Sequence, residues 1–391
     1  MKTSENSLWI LLGVVFFTGA ASVWAYPPDN AAVLYYKAIV LYEVNDEMAK
    51  MLADFSKGGT EPNDKIREFV KENRSIIKTV LDAYEVKNCD WGLDFSQGPE
   101  TLLPHLGGMK KLAYLILADT RILAADGHYE EALSRCMSLY KMARHVNDRY
   151  LIGYLVGNAI HRLTNDSVIR IMGQMPQDVQ SLTRLKSQFI AINSIPLSIK
   201  PALEGERETM LLTISPEKTM DDILRLLEVW GVKEESVKKK IQSFDKAMID
   251  HNRKYLEDYY AGVNAAFDMP YAEGYAVLTN LAQKVKEDAK SKPEAILTNT
   301  LALVSDGGYG KIFLHLARTG TQDNAIKTAL EVYMIKAKTG KLPEALPAGP
   351  AGDLFSGKFF VYEKTAGGFV LRCQGKDLDK GEIYSYEFKV K

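Results

Sequence analysis

Three carboxylates and an arginine crowd one stretch of the chain: Glu204, Glu206, Arg207 and Glu208. On a helix, Glu204 and Glu208 share a face one turn apart, while Glu206 and Arg207 point elsewhere. General acid or base work needs a carboxyl held in a cleft with its pKa moved toward neutrality. A weaker set follows at Asp250-His251, near Glu257 and Asp258. With His105, these stretches supply three catalytic candidates, Glu206, His251 and His105. Their chemistry would be that of a hydrolase-like enzyme using a Glu/His pair under the loop from Asn88 to His105. A buried Glu/Arg pair tying two helices together, or a solvated charged face, explains the same residues without catalysis.

The familiar signatures of nucleophile, phosphate and zinc chemistry are missing. Neither Gly-x-Ser-x-Gly nor His-Glu-x-x-His occurs. Gly307-Gly308-Tyr309-Gly310-Lys311 is glycine-rich, but it lacks a Ser or Thr after the lysine and a strand before it. A turn between helices is expected there. No Cys-x-x-Cys-His is present, so covalently attached haem is excluded. No cofactor and no metal site is expected. With 49 basic against 50 acidic residues the formal charge is -1, which gives no electrostatic footprint for nucleic acid or an anionic membrane. Lys238-Lys239-Lys240 is best taken as a solvated helix face.

The elements that must hold these residues begin with an export signal. Lys2 precedes an apolar run from Leu8 to Ala25, and Val23 and Ala25 fit the small-residue rule for cleavage before Tyr26. Residues 1–25 are therefore expected to be a signal peptide, and the protein to be exported to the periplasm or cell envelope. The alternative is an uncleaved anchor, since the run is near the lower limit for a bilayer span of about 20 residues. Membrane contact is then confined to residues 8–25. Export bears on the three cysteines. Cys136 falls on an apolar stripe, whereas Cys89 and Cys373 are the two available for a disulfide.

Helical periodicity dominates the next three hundred residues. Apolar patterns predict helices from Ala32 to Phe55, Asp64 to Val86, Tyr150 to Met172 (capped by Asp148) and Gln177 to Ile192. Later ones run from Pro216 to Trp230, Lys233 to Phe267 and Asp323 to Lys338. Between the second and third lies Ala124 to Leu133, a turn with Gly127 at its tip. Leu112, Leu115, Ala118, Ile122 and Ala125 stripe the helix before it; Ala132, Cys136, Leu139, Tyr140 and Ala143 stripe the helix after it. This turn resembles the inter-helix turn of a tetratricopeptide repeat, a scaffold that binds other proteins. The 34-residue period does not recur, so an irregular, α-solenoid-like helical array is expected. Past Pro343 the period becomes two. Phe359–Tyr362 and Phe369–Leu371 flank Ala366-Gly367-Gly368 as a β-hairpin, and Tyr384, Tyr386, Phe388 and Val390 mark one more half-buried strand. The reading is mainly α, with helical regions over 26–175 and 176–340 and a small antiparallel β module over 341–391.

Several short stretches resemble a group of exported proteins found in planctomycete-type bacteria. They are Asn30-Ala31-Ala32 with Tyr35–Ala38, Cys89-Asp90-Trp91, Leu103–Leu106, Leu139–His145, Ala202–Arg207, Ala329–Pro343, Asp353–Lys358 and Gly368–Leu371. That resemblance implies export and the same domain order, and carries no activity. The C-terminal part also resembles the ends of type II secretion pseudopilins, through Tyr333, Gly340 and Pro343. It departs from them at Leu354, where proline is usual, and at Asp377 and Asp379, which lack the glycine-rich calcium loop. The functional expectation is a non-enzymatic, protein-binding or scaffolding component of the envelope whose partners are other envelope proteins. Tyr255, Tyr259 and Tyr260 offer contact area for such partners, or pack a helical core.

Overall fold

A computed structural model describes residues 29–390, apart from 59, 148, 195–196, 216, 230–234, 305–307 and 348–351. The segment 1–25 expected to be a signal peptide, the cap at Asp148, and Pro216 and Trp230 lie outside the described residues. The molecule is mainly α, with a three-stranded antiparallel sheet at its C-terminal end.

Local caps cut the predicted helices more often than their periodicity suggests. The pattern from Ala32 to Phe55 becomes α1 (Ala31–Leu41) and α2 (Asp46–Ser56), because the Asn45 side chain accepts the Met48 backbone N–H at 2.9 Å. The next pattern divides at Asn73 into α3 (Asp64–Glu72) and α4 (Arg74–Glu85). A 3-10 turn, Phe95–Glu100, interrupts the long loop before α5 (His105–Ala125), α6 (Tyr129–Val146) and α7 (Leu151–Met172). Then come α8 (Val179–Ile192), α9 (Lys200–Thr213) and α10 (Met220–Val229). The single helix expected from Lys233 to Phe267 is two, α11 (Glu235–Gln242) and α12 (Lys246–Ala266), with Asp245 capping the second through Met248 N–H at 2.8 Å. Last are α13 (Tyr271–Ser291), α14 (Ile296–Val304) and α15 (Gly308–Thr339). α15 starts well before the Asp323 expected from the sequence and takes in Tyr309–Lys311; Gly307 of the expected turn lies outside the described residues, and Gly308 holds a turn conformation at φ +70°.

The hairpin of α5 and α6 forms as its stripes require. Gly127 turns the chain at φ +83°, a left-handed conformation that costs glycine little. Leu112, Leu115, Ala118 and Ile122 are buried on α5, as are all five stripe residues on α6. Ala125 is exposed, and Ala124 takes the inward position. α7 then lies close against α6. A Cβ on Gly157 would stand 2.5 Å from the Ala143 carbonyl oxygen, so only glycine fits that crossing.

The sheet order is β1 (Val361–Thr365), β2 (Gly368–Arg372), β3 (Ser385–Lys389), all antiparallel. Thr365 pairs with Gly368, so Ala366-Gly367 is a two-residue hairpin turn. α15 carries the sheet on Tyr333, whose hydroxyl donates to Lys389 O at 2.6 Å and whose ring meets Phe369 edge-on at 5.4 Å. Two buried aspartates fix the module's loops. Asp353 accepts from Ser356, Gln374 and Gly375 N–H groups. Asp377 accepts from Tyr384 OH and two backbone N–H groups and is ion-paired to Arg318 of α15. Burial works against its charge, but Arg318 and those hydrogen bonds prevail and hold it down at about 2.

The apolar core falls into two clusters. One gathers α1 to α5 with parts of α6 and α7; the other runs from the α6 face of Cys136 and Tyr140 through the later helices to Phe369 and Phe388 of the sheet. In the first cluster Trp91 pins the long loop. Its ring stacks on His105 at 4.1 Å and on Tyr35 at 5.8 Å, and its Nε1–H donates to His145 O at 2.7 Å.

Candidate functional site

α9 presents the carboxylate cluster, and glycine sets how. A Cβ on Gly205 would lie 1.9 Å from Arg149 O, so α9 rests directly on that backbone. Glu204 pairs with Arg207 along the helix, and Glu208 pairs with Arg149. Glu206 has neither an ion pair nor a hydrogen bond among the described residues. It is half-buried, and the groups that sense its charge are the buried phenols Tyr260 and Tyr309, themselves bonded at 3.0 Å. Burial raises the Glu206 carboxyl to about 7. The proton is therefore held more tightly in the folded chain than in the unfolded one. Between pH 4.5 and 7 the unfolded state loses that proton while the folded state keeps it, so stability falls as pH rises through this window. Glu206→Gln should remove that slope and exceed wild type in melting temperature at pH 8. A wild-type minus variant difference that stays flat from pH 4.5 to 7 would show that Glu206 is solvated.

The three candidate catalytic residues do not come together. α9 and α12 run antiparallel. Lys200 Nζ meets Asn264 O at 2.7 Å at one end, and Arg253 donates to Leu211 O at 2.8 Å at the other. Glu206 thus lies beside Tyr260, while His251 sits more than two turns back along α12, about 13 Å by helical rise, and faces solvent. His105 belongs to the other core cluster, fully buried against Trp91. The 88–105 loop does reach α9, but there it is Gly98 that packs, against Leu212. A Glu/His pair under that loop is not assembled, because His105 is buried against Trp91 while His251 faces solvent far along α12 from Glu206.

The cysteine pairing is also corrected. Cys89, Cys136 and Cys373 are free thiols, with Cys89 packed against the first cluster and Cys373 buried in the second. Burial pushes the thiols of Cys89 and Cys373 up to about 12, which makes them poor nucleophiles. The tyrosines of α12 go to the core: Tyr259 and Tyr260 are buried, and half-buried Tyr255 donates to Asp288 at 2.7 Å.

Two features escaped the sequence. One is the pairing of His161 on α7 with Asp323 on α15, at 2.8 Å. The other is a groove of about 490 Å³ between the α5–α6 turn and α8. Asp178 starts α8 by accepting Ser181 N–H at 2.9 Å, and α8 packs alongside α6. Buried Leu133, Met175 and Leu185 form the floor, while Glu130, Glu131, Arg184 and Gln188 form exposed rims. Arg184 and Glu130 are ion-paired across it. Both side chains are largely exposed, so the pair contributes about 1 kcal/mol at most. The glycine turn and the apolar stripe of α6 were the sequence signals nearest to this groove. No protein-family model, no curated protein and no solved structure matches the chain.

Proposed function

We propose that the chain is an exported, non-enzymatic binding protein of the cell envelope, and that the groove between α6 and α8 takes a segment of another envelope protein. The groove carries this reading. An apolar floor between rims of both charge signs suits an extended peptide, whose alternate side chains enter the floor while the rims hold its polar groups. The separation of Glu206, His105 and His251 supports the same side, since it removes the acid/base pair that a hydrolase would use. Export rests on the run from Leu8 to Ala25 and the small residues before Tyr26. Among the described residues no helix is long and apolar enough to cross a membrane.

Two measurements test these parts separately. Mass spectrometry of native protein should find a peptide beginning at Tyr26; intact peptides across Ala25-Tyr26 in the membrane fraction would make the segment an anchor. For the groove, Arg184→Glu adds a third acidic group beside Glu130 and Glu131 and should cut partner recovery about tenfold or more, equal to about 1.4 kcal/mol. The melting temperature should barely change. Recovery equal to wild type would move the interaction off this surface.

A further inference from the structure

A second cavity, of about 260 Å³, lies where α7, α15, the α8–α9 linker and the β module meet. Its polar wall begins with His161, 3% exposed, whose Nε2 lies 2.8 Å from Asp323 Oδ1. The same oxygen accepts Asn165 Nδ2–H at 2.7 Å, and Asn165 in turn accepts Tyr140 OH at 2.5 Å. A carboxylate oxygen accepts, so Nε2 carries a proton; in the neutral tautomer with that proton, Nδ1 is an acceptor. His161 Nδ1, Asn193 Nδ2 and Thr319 Oγ1 are all buried and have no hydrogen-bond partner among the described residues. All three residues line this one cavity. Buried polar atoms are costly to leave unmatched, so three beside one cavity mark a place where something from outside the chain makes the bonds.

The kind of atom present selects the kind of molecule. His161 Nδ1 accepts, Asn193 Nδ2 donates, and Thr319 Oγ1 does both. Asn158, which is buried and lines the same wall, adds one donor and one acceptor. An anion would meet the imidazole lone pair and the Asp323 charge, and a cation would meet Lys327, one turn along α15 from Asp323. Hydroxyl groups, which donate and accept from a single atom, suit this mixture better than either. Leu197, Leu316 and Leu354 supply an apolar side for C–H groups, and the volume has room for one small ring. We propose that this cavity binds a neutral polyhydroxylated molecule the size of a single sugar ring. The ligand would touch both helical body and β module. Leu354 comes from the module and seats against Gly320 of α15, where a Cβ would approach it to 2.5 Å. This site is independent of the groove and stands or falls apart from it.

The test uses the full mature chain with neutral probes (glucose, galactose, mannose, N-acetylglucosamine and myo-inositol) and charged ones (methylammonium and inorganic phosphate), by thermal shift and calorimetry. At least one neutral probe should raise the melting temperature and bind with one-to-one stoichiometry. Asn158→Ala and Lys327→Ala should each weaken that binding about tenfold, while Arg162→Ala, exposed on the same helix, should not. Should Asn158→Ala fail to fold, half-buried Lys327 carries the comparison. Binding of charged probes alone, binding that neither variant weakens, or a cavity that takes up water and none of the probes would overturn the proposal.

Discussion

Leu139→Asp is expected to unfold the helical array, or to lower its stability by about 4 kcal/mol or more, through an unpaired ionisable group in a packed core. Leu139 is 1% exposed and lies on α6, in the cluster that also holds Leu112, Leu115 and Ile116 of α5. The carboxyl could escape only by staying protonated or by prying α6 off its neighbours. Either course breaks the packing that links the hairpin to the N-terminal helices. Thermal melts and urea titration measure the loss. An unchanged melting temperature would place Leu139 at the surface and undo the hairpin assignment.

Trp91→Ala should cost about 3–5 kcal/mol, the usual range for removing a buried tryptophan. The ring holds together chain segments far apart in sequence. Asn30 caps α1 through Ala32 N–H and also bonds the backbone of Asp90, at 2.6 and 2.8 Å. Tyr35 OH lies 3.1 Å from His145 Nδ1, and Tyr36 meets the Trp91 ring edge-on at 5.3 Å. Removing the indole strips His105 of its stacking partner and leaves the His145 carbonyl without its donor. Burial, helped by Lys141, lowers the His145 pKa to about 4. From pH 6.5 down to 4 the unfolded state takes a proton that the folded state refuses, so this knot weakens as pH falls. A loss below about 1 kcal/mol in Trp91→Ala would show that the loop is held from elsewhere.

Four of the short stretches singled out in the sequence meet in this knot, through Tyr35, Trp91, His105 and His145. Nothing in their local sequence said that His105 would be spent on packing. The apolar stripes of α5 and α6 and the alternation in β3 were legible because burial alone decides them. The breaks at Asn45, Asn73 and Asp245 were missed because a continuous apolar period hides a short polar interruption. At Asn45 and Asp245 a side chain caps the next helix, an option periodicity does not register. α15 ran further back than expected because its glycines do not act as breaks; Gly320 makes room for Leu354. The pairing of His161 with Asp323 spans 162 positions, and no local pattern announces such a contact. Glu206 was singled out from its charge cluster, yet its raised pKa comes from burial beside Tyr260 of α12 and Tyr309 of α15, a meeting of three helices that local sequence does not register.

The proposal that the α6–α8 groove receives a protein segment is tested most directly by photocrosslinking in the native envelope. A photoreactive residue in place of Gln188, on the groove rim, should give one discrete adduct that disappears in the Arg184→Glu background. The same residue in place of Lys286, exposed on α13, should give none. No adduct from position 188, or the same adducts from both positions, would contradict a binding groove at this place.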